Sequence, residues 1–172
     1  MGAGIIPTCI YKNKLYFLLG KENKFNDSPG WADFGGGKEK GEKPFDTALR
    51  EGYEELAGFL GTKEYLKKYI NNVGKYEVTD SIYTSYLFFY PYNKCLEIYY
   101  NNFYKCIEHK LDDSVIKSTT IFEKSQIKWV CIDNLGSLKV RPFYKKIVNK
   151  IIENKSDIHK FISTDIAIHK SM

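Results

Sequence analysis

The first third of the chain alternates between apolar runs and short polar turns, as β-strands do. Residues 4–11 and 14–20 are two apolar runs separated by Asn13, which predicts a β-hairpin. Residues 22–30 are polar and rich in Asn, Asp, Ser, Pro and Gly, so they predict a loop. A shorter apolar stretch, residues 31–34, predicts a strand that leads directly into three glycines. The chain is therefore expected to begin with part of a β-sheet.

The next segment has apolar residues at helical spacing. Pro44 suits the first position of a helix, and Asp46 places a negative charge in its first turn. Apolar positions recur every three or four residues and predict one buried face: Phe45, Leu49, Tyr53 and Leu56. Gly58 and Gly61 are expected to end this helix.

The rest of the chain mixes further strands and helices. The predicted elements are a short helix at 63–70, strands at 73–79 and 82–90, a helix at 93–111, a strand at 127–132 and a helix at 142–152. Strands and helices do not alternate strictly, so we expect an α/β fold with a mixed sheet and helices on both faces, in one domain over residues 1–172. No window approaches the ~18 apolar residues of a membrane span, and the first residues lack a signal-peptide pattern.

Composition narrows the partners to be expected. The chain has 172 residues and a formal net charge of +5, but 24 of its 26 basic residues are lysines. Lys, Ile, Asn and Tyr are abundant and have AT-rich codons, which indicates genome bias, as in a large AT-rich DNA virus. Arginine forks for nucleic-acid readout are nearly absent. The cysteines show no CxxC spacing and predict buried, reduced thiols in a cytoplasmic protein rather than a zinc site: Cys9, Cys95, Cys106 and Cys131.

Three carboxylates are grouped on the helix that begins at Pro44. Glu51, Glu54 and Glu55 stand at i, i+3 and i+4, so they fall within an arc of about 100°. They repel one another unless a cation lies among them, and Mg²⁺ or Mn²⁺ prefers such oxygen ligands. A solvated acidic helix face is the alternative interpretation. The glycine-rich entry favours a metal site, because glycines allow a backbone carbonyl to approach a cation closely.

The spacing resembles a known family motif. From Gly36 the chain reads G-x5-E-x7-R-E-G-Y-E-E-L-A-G, which is similar to the Nudix box, G-x5-E-x7-R-E-U-x-E-E-x-G-U, where U is bulky and apolar. The positions that match in register are Gly36, Glu42, Arg50, Glu51, Glu54 and Glu55. The departures concern helix packing and the exit turn rather than the carboxylates: Gly52, Ala57 and Gly58. The resemblance covers most of residues 4–135, and residues 93–118 look like a helical insertion.

The resemblance implies a Nudix-type α/β/α sandwich that hydrolyses a pyrophosphate bond in a nucleoside diphosphate linked to another group, with Mg²⁺ or Mn²⁺. Glu54 and Glu55 would be the central metal ligands. Glu51 would be a further ligand and a candidate general base, although in several branches of the family the base lies outside the box. The backbone carbonyl of Gly35 would complete the coordination.

Two further roles follow from the same resemblance. Arg50, a candidate catalytic group, and Glu42 would make ionic contacts that hold the loop and the helix in place. Glu123 lies in the segment where the family often places an additional carboxylate, so it is a candidate metal ligand and base. An ordinary surface acid is the alternative there, and weaker competitors for the role are Glu97, Glu108 and Asp113.

Two other functions stay open at this point: mRNA decapping, and a Nudix-fold module that binds a nucleotide without cleaving it. Decapping of capped RNA needs a basic surface, and the one obvious strip, with a solvated face as its alternative, is Lys139, Arg141, Lys145, Lys146 and Lys150. The candidates for a base-stacking aromatic, most of which must be core, are Trp31, Phe34, Tyr83, Tyr86 and Phe89. The histidines are interpreted as surface residues: His109, His159 and His169. The small nucleotide substrate and the oligomeric state stay open, with a homodimer among the alternatives.

Overall fold

The described residues fold into a mixed β-sheet with helices on both faces, which confirms the predicted α/β class. A computed structural model describes residues 1–119 and 122–170, with side chains up to residue 164. The strands are β1 (Gly2–Tyr11), β2 (Lys14–Glu22), β3 (Trp31–Ala32), β4 (Phe34–Gly37), β5 (Tyr76–Thr79), β6 (Tyr83–Phe89) and β7 (Lys124–Cys131). The helices are α1 (Pro44–Glu55), α2 (Lys63–Val73), α3 (Lys94–Lys110), α4 (Asp113–Ser118), α5 (Ile132–Leu135), α6 (Lys145–Glu153) and α7 (Lys155–Lys170), and a 3-10 turn at Pro142–Tyr144 precedes α6.

Strand β1 is the centre of the sheet. It pairs in parallel with β6 along its length and antiparallel with two strands on its other side. The first half of β1 pairs with β4, whereas its end pairs with β2 in the predicted hairpin. Strand β2 in turn pairs with β7, and β5 pairs with β6. Among the described strands β4 pairs with β1 alone, so its other side is open to α1.

Successive residues of the central strands enter opposite cores. On one face, Ile5 and Leu18 pack with α1, α2 and α3. On the other face, Ile6 and Phe17 pack with α6 and α7. This alternation is the period-two pattern of a strand buried on both sides. Helix α1 therefore lies on one face of the sheet and α6 on the opposite one.

Helix α1 turns a slightly different face to the sheet from the predicted one. Tyr53 is 41% exposed, so its assignment to the buried face is wrong, while the other predicted positions are buried or partly buried. Gly52 faces the sheet instead, and a Cβ there would lie 2.3 Å from Cδ1 of Ile5. The close packing of α1 on β1 leaves no room for the bulky residue that the Nudix pattern has at this position.

Several boundaries differ from the predicted ones. Strand β7 begins at Lys124 rather than at 127, and helix α2 continues to Val73, so β5 begins only at Tyr76. Helix α7 was not predicted from the pattern, although Ile158 and Ile162 are fully buried on the second face of the sheet. None of the helices in the described part of the chain has the length and hydrophobicity needed to cross a bilayer.

Residues 93–118 form α3 and α4. The four cysteines, all of them among the described residues, are free thiols. Cys9 and Cys131 are buried, as predicted. The prediction is wrong for Cys95 and Cys106, which are exposed because they lie on the solvent side of α3.

Candidate active site at the glycine segment

Helix α1 places its acidic face against the glycine segment, Gly35–Gly37 of β4. The Glu51 carboxylate packs so closely on Gly36 that a Cβ at that position would lie 2.6 Å from both of its oxygens. Glu55 is buried, and its Oε2 accepts a 2.7 Å hydrogen bond from the backbone N–H of Gly35. Opposed residues of antiparallel strands exchange both backbone hydrogen bonds or neither. Since Gly35 turns its N–H toward Glu55, its carbonyl also faces away from β1 and toward α1.

Arg50 holds the glycine segment, the following loop and the helix together. Its guanidinium donates to both carboxylate oxygens of Glu42, at 2.8 and 3.1 Å, and to the carbonyl of Gly37 at 3.0 Å. The same group donates to Glu51 at 2.7 Å and to Glu54 at 3.3 Å. The hydrogen bond from Arg50 is the main cause that lowers the pKa of Glu42 to about 2. The ionic contacts expected of Arg50 and Glu42 are therefore present.

A buried lysine occupies the other side of Glu55. The side chain of Lys124 is 0% exposed, and its Nζ lies 2.9 Å from Oε1 of Glu55 and also forms an ion pair with Glu22. Glu22 in turn accepts a 3.0 Å hydrogen bond from Nη1 of Arg141. Burial lowers the pKa of Lys124, but the charges of Glu55 and Glu22 outweigh this effect and raise it overall. Burial raises the pKa of Glu55, and Lys124 acts in the opposite direction.

Residues distant in sequence hold this buried lysine in place. A Cβ at Gly20 would lie 2.7 Å from Cγ of Lys124, so the glycine makes room for the lysine stem. The hydroxyl of Tyr100 lies 2.8 Å from the backbone carbonyl of Glu55 and 3.0 Å from that of Lys124. Lys124 was not predicted from the sequence. The sequence offered only weak signs of this buried ion pair: Lys124 follows the candidate Glu123, and the acidic Glu22 follows an apolar strand.

Glu123 belongs to the same group of carboxylates. It is half-buried, and its charge contributes to raising the pKa of Glu51, whose main cause is burial. Burial likewise raises the pKa of Glu123, and Glu54 adds to the shift. The glycine segment and α1 thus bring together Gly35, Arg50, Glu51, Glu54 and Glu55, and the charge of Glu123 acts on Glu51.

The competitors proposed for Glu123 lie elsewhere. Glu97 is buried, accepts a 2.5 Å hydrogen bond from the backbone N–H of Trp129 and forms an ion pair with Lys94. Glu108 and Asp113 lie 3.9 and 2.8 Å from Nζ of Lys24. These carboxylates are engaged in structural contacts away from the glycine segment.

The residues present fit a divalent cation in chemistry, but their side chains do not converge on one point. Among the described residues, no three His, Cys, Asp or Glu side chains are arranged to hold a metal ion. Arg50 draws Glu51 and Glu54 toward itself. These two carboxylates and Glu123 nevertheless provide oxygen donors, the type that Mg²⁺ and Mn²⁺ prefer, and the charge of Glu54 contributes to raising the pKa of both Glu51 and Glu123. Holding a cation would require Glu51 and Glu54 to turn from Arg50 toward Glu123.

Two cavities flank this group. One of about 280 Å³ is lined by the glycine segment together with Ile82, Tyr83, Arg141 and Phe143. The other, of about 370 Å³, lies beside Glu123 and is lined mostly by polar residues. A further cavity of about 350 Å³ near His159 touches none of the carboxylates. Space for a ligand therefore adjoins the glycine segment on one side and Glu123 on the other.

The candidate aromatic, histidine and basic residues lie in several different environments. Phe34, Tyr83 and Tyr86 are buried, while Trp31 and Phe89 are partly buried. Of these five aromatics, Tyr83 alone lines the cavity at the glycine segment. His109 and His159 are exposed, as predicted, and the side chain of His169 lies outside the described residues. Of the predicted basic strip, Arg141 turns inward to Glu22 and is no part of a surface patch.

Comparison with known proteins identifies the fold. No family model matches the sequence, and no curated protein matches it. A Nudix hydrolase from M. smegmatis, RenU, aligns at 14% identity and a TM-score of 0.56, covering 91% of this chain and 86% of that one. The NUDIX domain of Shewanella oneidensis NrtR, complexed with ADP ribose, aligns at 13% identity and a TM-score of 0.54, covering 89% and 86%. A C. elegans Ap4A hydrolase in a binary complex aligns at 14% identity and a TM-score of 0.52, covering 91% and 97%. The chain therefore has the fold of these Nudix proteins.

Proposed function

We propose that this chain is a Nudix-type hydrolase that cleaves a pyrophosphate bond in a nucleoside diphosphate linked to another group, with Mg²⁺ or Mn²⁺. The observation that carries the proposal is that Arg50 and the acidic face of α1, with Glu51 and Glu54, pack against the glycine segment, where the charge of Glu123 also acts on Glu51. The structurally similar proteins add support, because Ap4A and ADP ribose, which their names contain, both include phosphoanhydride-linked nucleotides.

The metal would be held by oxygen atoms from three parts of the chain. Glu51 and Glu54 provide carboxylates from α1, Glu123 provides one from the start of β7, and Gly35 provides its carbonyl. A bound divalent cation supplies positive charge that offsets the charge developing on phosphate oxygens. Arg50 fixes the distance between the glycine segment and the helix, because it bonds to Gly37 and to the glutamates at the same time.

The general base is one of two carboxylates. Burial raises the pKa of both Glu51 and Glu123, and a base is most effective when its pKa approaches the working pH. Either group could take a proton from the attacking water at a carboxylate oxygen. The variants Glu51→Gln and Glu123→Gln separate them, because loss of the base removes the acid limb of the pH–rate profile.

The cavity at the glycine segment would receive the part of the substrate next to the scissile phosphates. Its walls include the backbone of Gly35–Gly37, the ring of Phe143 and the side chain of Arg141. The Arg141 guanidinium lies 4.9 Å from the centre of the Phe143 ring, so the two side chains support each other. This wall combines positive charge with an apolar surface, which suits a nucleotide.

The decisive experiment is a hydrolysis screen with Mg²⁺ and with Mn²⁺. The substrates are nucleotide sugars, dinucleoside polyphosphates, nucleoside triphosphates, diphosphoinositol phosphates and capped RNA. The Glu54→Gln variant is the control, because it keeps the side-chain shape and removes one ligand charge. We expect metal-dependent turnover of at least one small nucleotide by the wild type, and none by the variant with its fold intact.

The two other candidate functions give different outcomes in the same screen. Capped RNA as the best substrate would indicate decapping. Saturable nucleotide binding without turnover, in the presence of either metal, would indicate a binding module. A Glu54→Gln variant with full activity would contradict the proposed metal site.

A further inference from the structure

Lys124 is a fully buried cation at the candidate metal site that the Nudix motif does not account for. It contacts two buried carboxylates, Glu55 and Glu22, and Glu22 is 102 residues from the lysine in sequence. With Arg141 on Glu22, the group contains two carboxylates and two cations and is formally neutral. Burying a charge is costly unless it is paired in this way. The pairing at Glu55 is therefore complete without a metal ion.

Both oxygens of Glu55 have partners from the protein itself. Oε1 receives the ammonium of Lys124 at 2.9 Å, and Oε2 receives the N–H of Gly35 at 2.7 Å. A divalent cation on this carboxylate would face the ammonium at short range and be repelled by it. Glu54 differs, because its side chain is 39% exposed and, in the described part of the chain, its carboxylate forms a hydrogen bond with Arg50 alone, at 3.3 Å.

We propose that Lys124 is the resident cation of Glu55, which makes Glu55 a positioning residue rather than a metal ligand. This inference rests on the proposed function. The divalent cations then bind through Glu51, Glu54 and Glu123. Lys124 keeps the Glu55 carboxyl group in place, so that Glu55 accepts the hydrogen bond from the N–H of Gly35. Because the N–H and carbonyl of Gly35 point to the same side, this bond also aims the carbonyl at the metal site.

The first test compares two neighbouring glutamates with the same substitution. Mn²⁺ binding to the full-length chain without substrate is measured from the electron paramagnetic resonance signal of free Mn²⁺. We expect Glu54→Gln to weaken Mn²⁺ binding at least tenfold and Glu55→Gln to weaken it less than threefold. Circular dichroism confirms that both variants are folded. An effect of Glu55→Gln as large as that of Glu54→Gln overturns the proposal.

The second test removes the lysine. Lys124→Met alone would leave two buried carboxylates with one cation, so the double variant Glu22→Gln/Lys124→Met is used to keep the group formally neutral. In this variant Glu55 has lost its ammonium partner. We expect Mn²⁺ binding at least threefold tighter than in the wild type, or one more Mn²⁺ per chain. Unchanged or weaker binding in the folded double variant overturns the proposal.

The outcomes for the two proposals can be told apart. A wild-type chain that binds no Mn²⁺ and hydrolyses no nucleotide contradicts the proposed function and this inference together. A wild type that binds Mn²⁺ and is weakened equally by both glutamine variants contradicts only the role of Lys124. If the double variant does not fold, the comparison of Glu54→Gln with Glu55→Gln decides.

Discussion

Removing the Arg50 side chain is the sharpest test of how the candidate site is held together. The Arg50→Ala variant deletes five hydrogen bonds, to Glu42, Glu51, Glu54 and the carbonyl of Gly37. It also leaves three carboxylates without the cation that they share. We therefore expect the variant to lose stability as well as activity.

The expected loss of stability follows from how far Arg50 and its carboxylate partners are exposed to water. Arg50, Glu42 and Glu51 keep only 16%, 17% and 14% of their side-chain surface exposed, so their ion pairs are largely shielded from water. Breaking a buried pair by removing one partner costs about 3–5 kcal/mol. Glu54 is 39% exposed, so its pair with Arg50 adds little to the unfolding free energy. This favours the lower end of that range, a loss of about 3 kcal/mol. For a chain of 172 residues this corresponds to a fall in Tm of about 6–12 °C.

The assay is thermal unfolding of the metal-free protein followed by circular dichroism. A matched control is Lys67→Ala, which removes another cation paired with α1, at 3.0 Å from Asp46, but in a pair that is 51% and 39% exposed. That control should change the unfolding free energy by less than about 1 kcal/mol. If Arg50→Ala lowers Tm no more than Lys67→Ala does, Arg50 is not part of the scaffold that joins the glycine segment to α1.

Two further predictions follow from the charges. The pKa of Glu42 is lowered to about 2 from the ordinary value of 4.5, so its stabilising effect is complete above about pH 4.5 and is lost as the pH falls through about 2. The Tm difference between wild type and Glu42→Gln should therefore shrink as the pH falls over that range. A constant Tm difference would contradict the ion pair of Glu42 with Arg50. None of the lysines of α6 lines the cavity at the glycine segment, so replacing three of them together with alanine should leave kcat/KM for the best small nucleotide within about threefold: Lys145, Lys146 and Lys150. If capped RNA is instead the best substrate, and the triple variant loses it along with a salt slope of roughly −0.7 per phosphate contacted, decapping is the function.

The carboxylate group could be predicted because it depends on local spacing. Glu51, Glu54 and Glu55 lie on one helix, and helical geometry alone places them on one side. Glu42 and Arg50 are also within nine residues of one another, and their contact is present at 2.8 Å. The mixed sheet followed from the order of apolar runs, since a chain that mixes strands and helices without strict alternation has few layered arrangements available.

The partners of Glu55 could not be predicted, because they depend on contacts distant in sequence. Lys124 and Glu22 meet across 102 positions, and each looks like an ordinary surface charge when the chain is read alone. In the ladder between β2 and β7, Lys124 is also the strand partner of Glu22, beyond a register shift between Lys21 and Glu22. The first residues of β7 and the missed site residue therefore both depend on contacts with β2 that are distant in sequence.

The two arginines of the chain lie at positions where one side chain contacts several partners. Among 26 basic residues they are the only arginines, and both belong to the charge network at the glycine segment. Arg50 bonds to four partners at once, and Arg141 bonds to Glu22 while stacking over Phe143. A planar guanidinium can do this because its donors diverge in a fixed plane, whereas a lysine ammonium is a single point of charge. Lysine does appear in the network at Lys124, where one ammonium between two carboxylates needs no fork. The shortage of arginine thus says little about nucleic-acid binding, and the positions of the two arginines indicate where several carboxylates must be held by one side chain.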